Sequence, residues 1–214
     1  MVFDFKKEFK KFYRPSQNPE IIEIPKINFI AVRGKGNPNE KGGEYQKAVE
    51  MLYGVAYTLK MSYKTEYQIK DFFEYVVPPL EGLWWQENEK SENYLLNKEL
   101  FNWISLIRVP DFVKRKDVEW AINRSTEKKK KDFSKVKFFS YAEGFCVQCM
   151  HIGSYDNEPE TIQKMNDFLQ KNGYNLDLAG KRYHHEIYLS DPRKTDTNKL
   201  KTIIRQPIKK QKSF

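Results

Sequence analysis

The sequence predicts an α+β fold made of two fused strand-helix-strand-strand modules. Two observations lead to it: the same order of elements is repeated in both halves of the chain, and 39% hydrophobic with 15% aromatic residues supports a folded core. The first module is expected over about residues 21–109, a linker helix over about 111–131, and the second module over about 144–206. Residues 207–214 are expected to be a basic tail on a single domain that spans 1–214.

Turn sequences and periodicity mark the elements of the first module. A strand is predicted over residues 21–34, where it ends at the turn sequence GKGNPN. In residues 39–63 the apolar side chains recur at helical spacing, and Asn39 is a candidate cap for this helix. Two strands complete the module: one covers residues 72–77 and runs on past Pro78-Pro79 through 83–85, and the other covers 101–109.

The linker and the second module continue this order. Asp111 follows Pro110 and is a candidate cap for the linker helix. The second module consists of a strand over 144–152, a helix over 158–171 closed by Gly173, and strands over 183–189 and 201–205. The repetition predicts pseudo-two-fold symmetry, with antiparallel sheets that carry helices on one face and leave the other face free. Ahead of both modules, the spacing of Phe5, Phe9 and Phe12 predicts a short helix packed on the core.

The composition limits the class of protein. No apolar run is long enough to span a bilayer, and the N-terminal MVFDFKKEF lacks the apolar stretch of a signal peptide. Two cysteines exclude a disulfide scaffold. We therefore expect a cytoplasmic, reduced protein with no membrane partner, while the sequence gives no indication of its oligomeric state.

The formal net charge of +9 raises the question of nucleic-acid binding. Much of the excess lies in two local runs, residues 128–131 and 205–212, which are typical of solvated loops and tails. No helix-turn-helix, zinc-finger or RRM signature accompanies them. The aromatic residues fall in the strands while the basic runs fall in the linker and the tail, so base stacking is the less favoured alternative.

A carboxylate in the strand over residues 183–189 is the main candidate for chemistry. Side chains alternate between the faces of a strand, so His184, Glu186 and Tyr188 share one face. The aliphatic Ile187 on the other face marks that face as the core. Glu186 then lies between an imidazole and a phenol, as in a ligand-binding wall. Such a carboxylate is either desolvated and proton-accepting at neutral pH, or charged and able to attract a cation. The alternative is a surface glutamate.

Tryptophans are the candidates for stacking on a flat ligand. In the last strand of the first module, alternation groups Ile104 and Leu106 with the helix-facing core and points Trp103 the other way. Its indole either stacks on a ligand or packs as ordinary core. The neighbours Trp84 and Trp85 must diverge, so at most one of them contacts the ligand.

Two further patterns indicate structure more than chemistry. Cys146 and Cys149 form CVQC, but three positions apart in a strand they point to opposite faces, so we expect small core residues. His184, Glu186 and His151 offer a two-histidine, one-carboxylate metal site. We do not favour that site, so no metal and no cofactor are expected.

A set of unusual strings occurs in one order along the chain. They are FDFKKEFKKFYRPSQNPEIIEIPKINFIAVRGKGNPNE, YVVPPLEGLWW, FNWISLIRVPDFV, HIGSYDNEPETI and HHEIYLSDP. This set resembles the stand-alone form of the GyrI-like (DNA gyrase inhibitor-like) small-molecule-binding domain, over most of the chain up to about Gln206. The resemblance implies two modules of the SHS2 type with a ligand cleft between them.

The resemblance also implies roles for individual residues. It places YVVPPLEGLWW at the rim of the cleft, which favours Trp85 over Trp84 as a ligand contact. Glu81 in the same string is a candidate for the ligand's polar edge, although a bond to turn amides is the more ordinary role. His151 and Tyr155 are expected mainly to fix a strand end and the turn after it.

The function implied by the resemblance is hydrolysis of a cyclopropane ring in a DNA-alkylating natural product, a detoxification reaction. Trp85, Trp103 and Tyr188 are expected to hold a planar aromatic substrate. Glu186 is expected to orient or deprotonate water, with His184 or Tyr188 as donor to the oxygen on which charge develops. The rival hypothesis is a non-catalytic multidrug-binding or sequestering protein, related to the effector domains of transcription regulators, in which a charged Glu186 attracts aromatic cations.

Overall fold

The computed structural model describes residues 2–86 and 98–211, and the chain divides into two compact units. The first unit comprises Met1–Phe5 and Ile27–Tyr141, and the second comprises Lys6–Lys26 and Ala142–Phe214. The linker helix thus belongs to the first unit, while most of the segment before the first predicted module belongs to the second. Two long strands, β1 (Glu20–Lys35) and β4 (Lys137–Ile152), contribute residues to both units.

The first unit consists of an antiparallel sheet with two helices. Its elements are the end of β1, α3 (Glu44–Lys60), β2 (Leu80–Trp85), β3 (Asn102–Arg108) and α4 (Arg115–Lys129). Strand β3 lies between β1 and β2, so that Trp103 has Gly34 on one side and Trp84 on the other. The predicted strand over 101–109 is confirmed within one residue at each end.

Helix α3 forms because its apolar residues repeat at helical spacing and bury one face. Ala48, Leu52 and Leu59 are fully or almost fully buried, and the helix packs against β3. It begins at Glu44 after Gly43, not at Asn39, so the predicted cap is wrong. The intervening residues form turns in which Gly42 takes a φ of +72°, a conformation that glycine adopts without strain.

Helix α4 is anchored by a carboxylate in its own first turn. Asp117 accepts a 2.7 Å hydrogen bond from the Lys114 backbone amide and a 2.8 Å bond from the phenol of Tyr67. The predicted cap at Asp111 is therefore wrong, and the helix begins four residues later. The Thr58 and Ser125 hydroxyls, 2.8 Å apart, join α4 to α3, so the predicted linker is part of a packed unit.

The segment over residues 72–77 is not a strand, which corrects the sequence prediction. It makes one isolated bridge, between Phe3 and Tyr75, and strand β2 begins only at Leu80, after the double proline. The aromatic residues that suggested a strand instead pack against one another: Phe73 lies 5.0 Å from Phe3 and 4.9 Å from Phe112 between ring centroids. An aromatic cluster therefore accounts for a composition that is also typical of strands.

The second unit is also built from antiparallel strands and helices. It contains α2 (Lys10–Tyr13), the end of β4, α5 (Glu158–Lys171), β5 (Tyr174–Leu176), β6 (His184–Tyr188) and β7 (Lys201–Lys210), while the short α1 (Phe5–Glu8) begins in the first unit. Strand β7 pairs with β4 on one side and with β6 on the other, as β3 does between β1 and β2. The predicted helix over 158–171 is confirmed at both ends.

Strand β7 is longer than predicted, so the expected tail does not begin at residue 207. Ile208 is 1% exposed and pairs with Leu176 of β5, and the strand continues to Lys210. The tail was predicted because basic residues dominate the C-terminal sequence. The apolar Ile208 just before them is nevertheless buried. Residues 212–214 of the expected tail lie outside the described residues.

The two cysteines lie on opposite faces of β4, as alternation predicts. Cys146 is opposite Pro207 and Cys149 is opposite Ile204, and both thiols are buried and free. Burial raises the pKa of the Cys146 thiol, which keeps it protonated and unreactive. Among the helices that the structure describes, none is long and apolar enough to cross a membrane.

Candidate functional site: a buried glutamate on strand β6

Glu186 lies in the middle of β6 and its carboxylate is held by two side chains of the same strand. Its Oε1 is 3.1 Å from Nε2 of His184, and its Oε2 accepts a 2.7 Å hydrogen bond from the Tyr188 phenol. The period-two prediction that these three residues share a face is thereby confirmed. Glu186 is 8% exposed, so its carboxylate is desolvated as well as oriented.

The position of this face relative to the helix differs from the prediction. In β7, Thr202 pairs with both Tyr188 and His151, so all three side chains point to one face of the sheet. His151 bonds to Thr161 of helix α5 at 2.8 Å, which identifies this face as the one that carries the helix. The expectation that Glu186 occupies the face away from the helix is therefore wrong.

The opposite face of the second unit is filled by a buried ion pair. Arg205 donates to Glu143 at 2.9 Å, and His185 Nδ1 lies 3.0 Å from the other oxygen of that carboxylate. Burial alone would raise the pKa of Glu143, but the charges and hydrogen bonds of His185 and Arg205 outweigh it and hold the pKa at about 2. Arg205 also donates to the Phe12 carbonyl at 3.0 Å, so the N-terminal segment closes this face.

Helix α5 brings a second carboxylate to Glu186. Glu158, the first residue of the helix, is 2% exposed, and its carboxylate, the His184 imidazole and the Glu186 carboxylate have ligating atoms within 4.8 Å of one another. Just before the helix, the ring of Tyr155 meets Tyr188 edge-on at 5.8 Å. Burial, and then the charges of Glu186 and Glu158, raise the pKa of Tyr155 to about 12, which keeps its phenol protonated.

His151 is not part of this cluster. Its Nε2 donates to the Ser154 carbonyl at 2.9 Å and its Nδ1 accepts from the Thr161 hydroxyl at 2.8 Å, because the carbonyl fixes the tautomer. Both ring nitrogens are used to hold the turn before α5. The structural role expected for His151 agrees with these bonds, and the alternative metal site with His151 as a ligand is wrong.

Trp103 belongs to the first unit and lies on the helix side of its sheet. Its ring meets Tyr45, in the first turn of α3, edge-on at 5.2 Å, and Trp84 lies 5.3 Å from the same tyrosine. The prediction that Trp103 points away from the helices is therefore wrong. A Cβ on Gly34 would lie 2.3 Å from the indole, so this close packing requires glycine on the neighbouring strand.

The remaining candidates of the first unit lie on the other side of that sheet. Trp84 pairs with Trp103 and shares its face, so Trp85 and Glu81 point to the opposite face. The two adjacent tryptophans thus diverge as predicted. Glu81 is 2% exposed and Trp85 is partly exposed. Their expected ligand contacts stay a prediction.

The model of the GyrI-like small molecule binding domain matches residues 17–209 of the chain. The chain belongs to the GyrI-like family. Among curated proteins, none matches it. The family assignment agrees with the resemblance seen in the sequence, and it covers both units of the structure.

Several solved structures resemble this GyrI-like protein. An uncharacterized conserved protein from Listeria innocua shares 46% identity, with a TM-score of 0.90 over 97% of this chain and 100% of its own. A hydrolase from Listeria innocua shares 44% identity, with a TM-score of 0.87 over 97% and 100%. The EcmrR C-terminal domain shares 15% identity with a TM-score of 0.58 over 90% and 98%, a likeness of fold alone.

Two residues beside His184 and Glu186 were missed by the sequence analysis. Glu158 lies 28 positions before Glu186 in the chain, and Gln206, whose amide Nε2 is 3.2 Å from Nδ1 of His184, lies 20 positions after it. The signal for Glu158 was its place as the acidic first residue of a predicted helix, with a proline directly after it. Gln206 carried no signal, because the strand containing it was expected to end at Arg205.

Proposed function

We propose that this GyrI-like protein binds a planar aromatic small molecule and hydrolyses the cyclopropane ring of DNA-alkylating natural products, as a detoxifying enzyme. The observation that carries the proposal is the Glu186 carboxylate, which is buried and held by donors on both oxygens. A desolvated, oriented carboxylate is suited to act as a general base. The likeness to a hydrolase from Listeria innocua at 44% identity supports a hydrolytic reaction.

The proposed reaction is the addition of water across a strained carbon–carbon bond. Glu186 removes a proton from water while the water oxygen bonds to a ring carbon of the cyclopropane. The ring bond breaks, and its electron pair moves through the conjugated system to the carbonyl oxygen. That oxygen takes up a proton and becomes a phenol, so the net change is the addition of one water molecule. General acid–base catalysis of this kind contributes about 10²- to 10⁴-fold.

His184 and Tyr188 orient the base in this proposal. Both point at Glu186, so at rest they fix the direction of its remaining lone pairs. Each of these side chains carries a proton that points at Glu186 at rest and can be transferred. We propose one of them, or Tyr155 beside them, as the donor to the developing phenol.

Trp103 of the first unit is proposed as a ligand contact. Trp103 is 1% exposed, and its indole Nε1 has no hydrogen-bond acceptor among residues 2–86 and 98–211. Buried indole N–H groups usually have an acceptor, so a ligand oxygen at Trp103 is consistent with a binding role. Trp85 and Glu81 point to the opposite face of the sheet from Trp103, so they are proposed as the alternative ligand contacts of this unit, on the grounds of the family resemblance.

The test is Glu186→Gln, which keeps the size of the side chain and removes the basic oxygen. The variant is expected to bind a neutral planar ligand as before and to lose turnover of a cyclopropane-containing alkylator by about 10²- to 10⁴-fold. Glu160→Gln is the matched control, because Glu160 is exposed in the first turn of α5. Undiminished turnover by Glu186→Gln would remove the central residue of the proposed reaction.

A second candidate function is the capture of cationic aromatic compounds without turnover. Glu158 favours it, since two buried carboxylates whose ligating atoms lie within 4.8 Å provide a strong attraction for a positive charge. In that case Glu186→Gln is expected to weaken binding of a cationic dye and to leave a neutral dye unaffected. Product analysis under multiple turnover separates the two functions, because a binding protein returns its ligand unchanged.

A further inference from the structure

The cluster at the start of α5 combines three ligating side chains that come from two elements. Glu158 begins the helix, and His184 and Glu186 lie on β6 with one residue between them. All three are buried, and their ligating atoms fall within 4.8 Å of one another. An imidazole with two carboxylates is a donor set that suits first-row transition ions.

The distances in the cluster are close to those of a coordination sphere. Ligand atoms of a tetrahedral zinc site with bonds of about 2.0–2.2 Å lie about 3.3–3.6 Å apart. His184 Nε2 and Glu186 Oε1 are 3.1 Å apart, so one edge of such a site already exists. The third ligand needs only a movement of the Glu158 side chain, which reaches the cluster from the helix end.

The surroundings of the cluster supply a separate indication. The Gln206 carbonyl Oε1 is buried and has no hydrogen-bond partner within residues 2–86 and 98–211, while its Nε2 lies 3.2 Å from His184 Nδ1. Rotating this amide by 180° lets Oε1 accept a hydrogen bond from the tautomer of His184 that carries its proton on Nδ1. The lone pair of His184 Nε2 then becomes available to a metal ion, and the orphaned oxygen gains its partner. Metal-bound histidines are usually oriented in this way by an acceptor behind them.

We propose that Glu158, His184 and Glu186 form a binding site for a divalent transition ion such as Zn²⁺ or Co²⁺, with Gln206 as the acceptor that orients His184. Tyr188 adds to this arrangement, because its hydrogen bond to Glu186 Oε2 leaves Oε1 directed at the site. Three protein ligands leave at least one coordination position for water or another molecule. This inference goes beyond the proposed function and does not depend on it.

The test uses the full chain after dialysis against a chelator. Titration with Co²⁺ alone is expected to give saturable visible absorption at one ion per chain, and Zn²⁺ is expected to displace it. Gln206→Leu is expected to weaken Co²⁺ binding by about 10- to 100-fold, and Glu158→Gln by more. Glu160→Gln is the control. Glu160 lies two residues after Glu158 in the same helix and is exposed, so this variant is expected to bind Co²⁺ as the parent does.

Two results would overturn the inference: no saturable Co²⁺ signal from the parent chain, or an unchanged affinity in Glu158→Gln. Circular dichroism of each metal-free variant checks the fold, and Glu158→Asp replaces Glu158→Gln if the latter unfolds. Turnover measured in the presence of chelator keeps the two proposals apart. Activity that persists without metal leaves the proposed hydrolysis standing whatever the outcome of the titration.

Discussion

The phenol of Tyr188 donates a 2.7 Å hydrogen bond to Oε2 of Glu186, two positions earlier on strand β6. Side chains two apart on a strand point the same way, so the backbone itself brings the donor to the acceptor. The ring of Tyr188 is in turn held edge-on by Tyr155 at 5.8 Å. The orientation of the carboxylate thus depends on a short chain of contacts that begins in the turn before α5.

Tyr188→Phe tests this dependence. A hydrogen bond to a charged group contributes about 1.5–3 kcal/mol, and each 1.4 kcal/mol corresponds to about tenfold in rate. We expect turnover of a cyclopropane-containing alkylator to fall by about 10- to 100-fold, while a neutral planar ligand binds as before. Tyr57→Phe is the control, since Tyr57 is 52% exposed on α3. Equal turnover in both variants would show that Tyr188 does not orient the base.

Gly34→Ala is expected to displace the indole of Trp103. A Cβ at position 34 would lie 2.3 Å from two atoms of the six-membered ring, and a packed ring has little freedom to move away. Overpacking of this kind costs about 1–3 kcal/mol of unfolding free energy. Chemical denaturation with tryptophan fluorescence measures both the loss of stability and the change around Trp103.

Trp103→Phe provides the matched rescue, because phenylalanine lacks the part of the indole that meets position 34. The double variant Gly34→Ala/Trp103→Phe is expected to be more stable than the sum of the two single changes predicts. Strict additivity would mean that the contact between positions 34 and 103 is not the cause of the loss.

Alternation along the strands could be predicted from the sequence, but not which face carries the helix. His184, Glu186 and Tyr188 were grouped correctly because a period of two is a local property. Their face was assigned wrongly because Ile187 on the other side suggested an apolar core, whereas Arg205 and its ion pair fill that side. That pairing joins positions 62 residues apart, which no local pattern reveals. Glu158 and Gln206 were missed because each reaches the cluster from a different element, which the pattern of β6 alone does not show.

Acid is expected to destabilise the second unit through Glu143. The pKa of this carboxyl is lowered to about 2, below its ordinary value of 4.5, so the folded state binds the proton less readily than the unfolded state. The stabilisation is complete above the unfolded pKa and is lost as the pH falls from about 5 towards 2. Urea unfolding at a series of pH values measures this slope.

Glu143→Gln separates this ion pair from other acidic groups. It leaves Arg205 buried opposite a neutral side chain, and breaking one partner of a buried pair costs about 3–5 kcal/mol. The pH slope between 5 and 2 is expected to become shallower in the variant. If Glu143→Gln keeps both the stability and the slope of the parent, another group controls the acid response.

The last prediction concerns the C-terminal residues, which the sequence suggested were a dispensable tail. Truncation after Gln206 removes Ile208, which is 1% exposed, and it removes the pairing of β7 with β5. Losing one buried aliphatic side chain of this kind costs about 2–5 kcal/mol. The same truncation deletes Lys209, whose ammonium group lies 2.9 Å from Asp177.

Truncation after Gln211 is the matched control, because it removes Lys212 and keeps every residue of β7. The truncation after Gln211 is expected to unfold at the same temperature as the full chain and to bind a planar aromatic dye with the same affinity. The truncation after Gln206 is expected to lose stability first, and to lose dye binding only as a consequence. Both variants lose basic charge. If charge alone matters, dye binding weakens in each and the unfolding temperature stays the same. If the loss of Ile208 from the core matters, the unfolding temperature falls only in the truncation after Gln206.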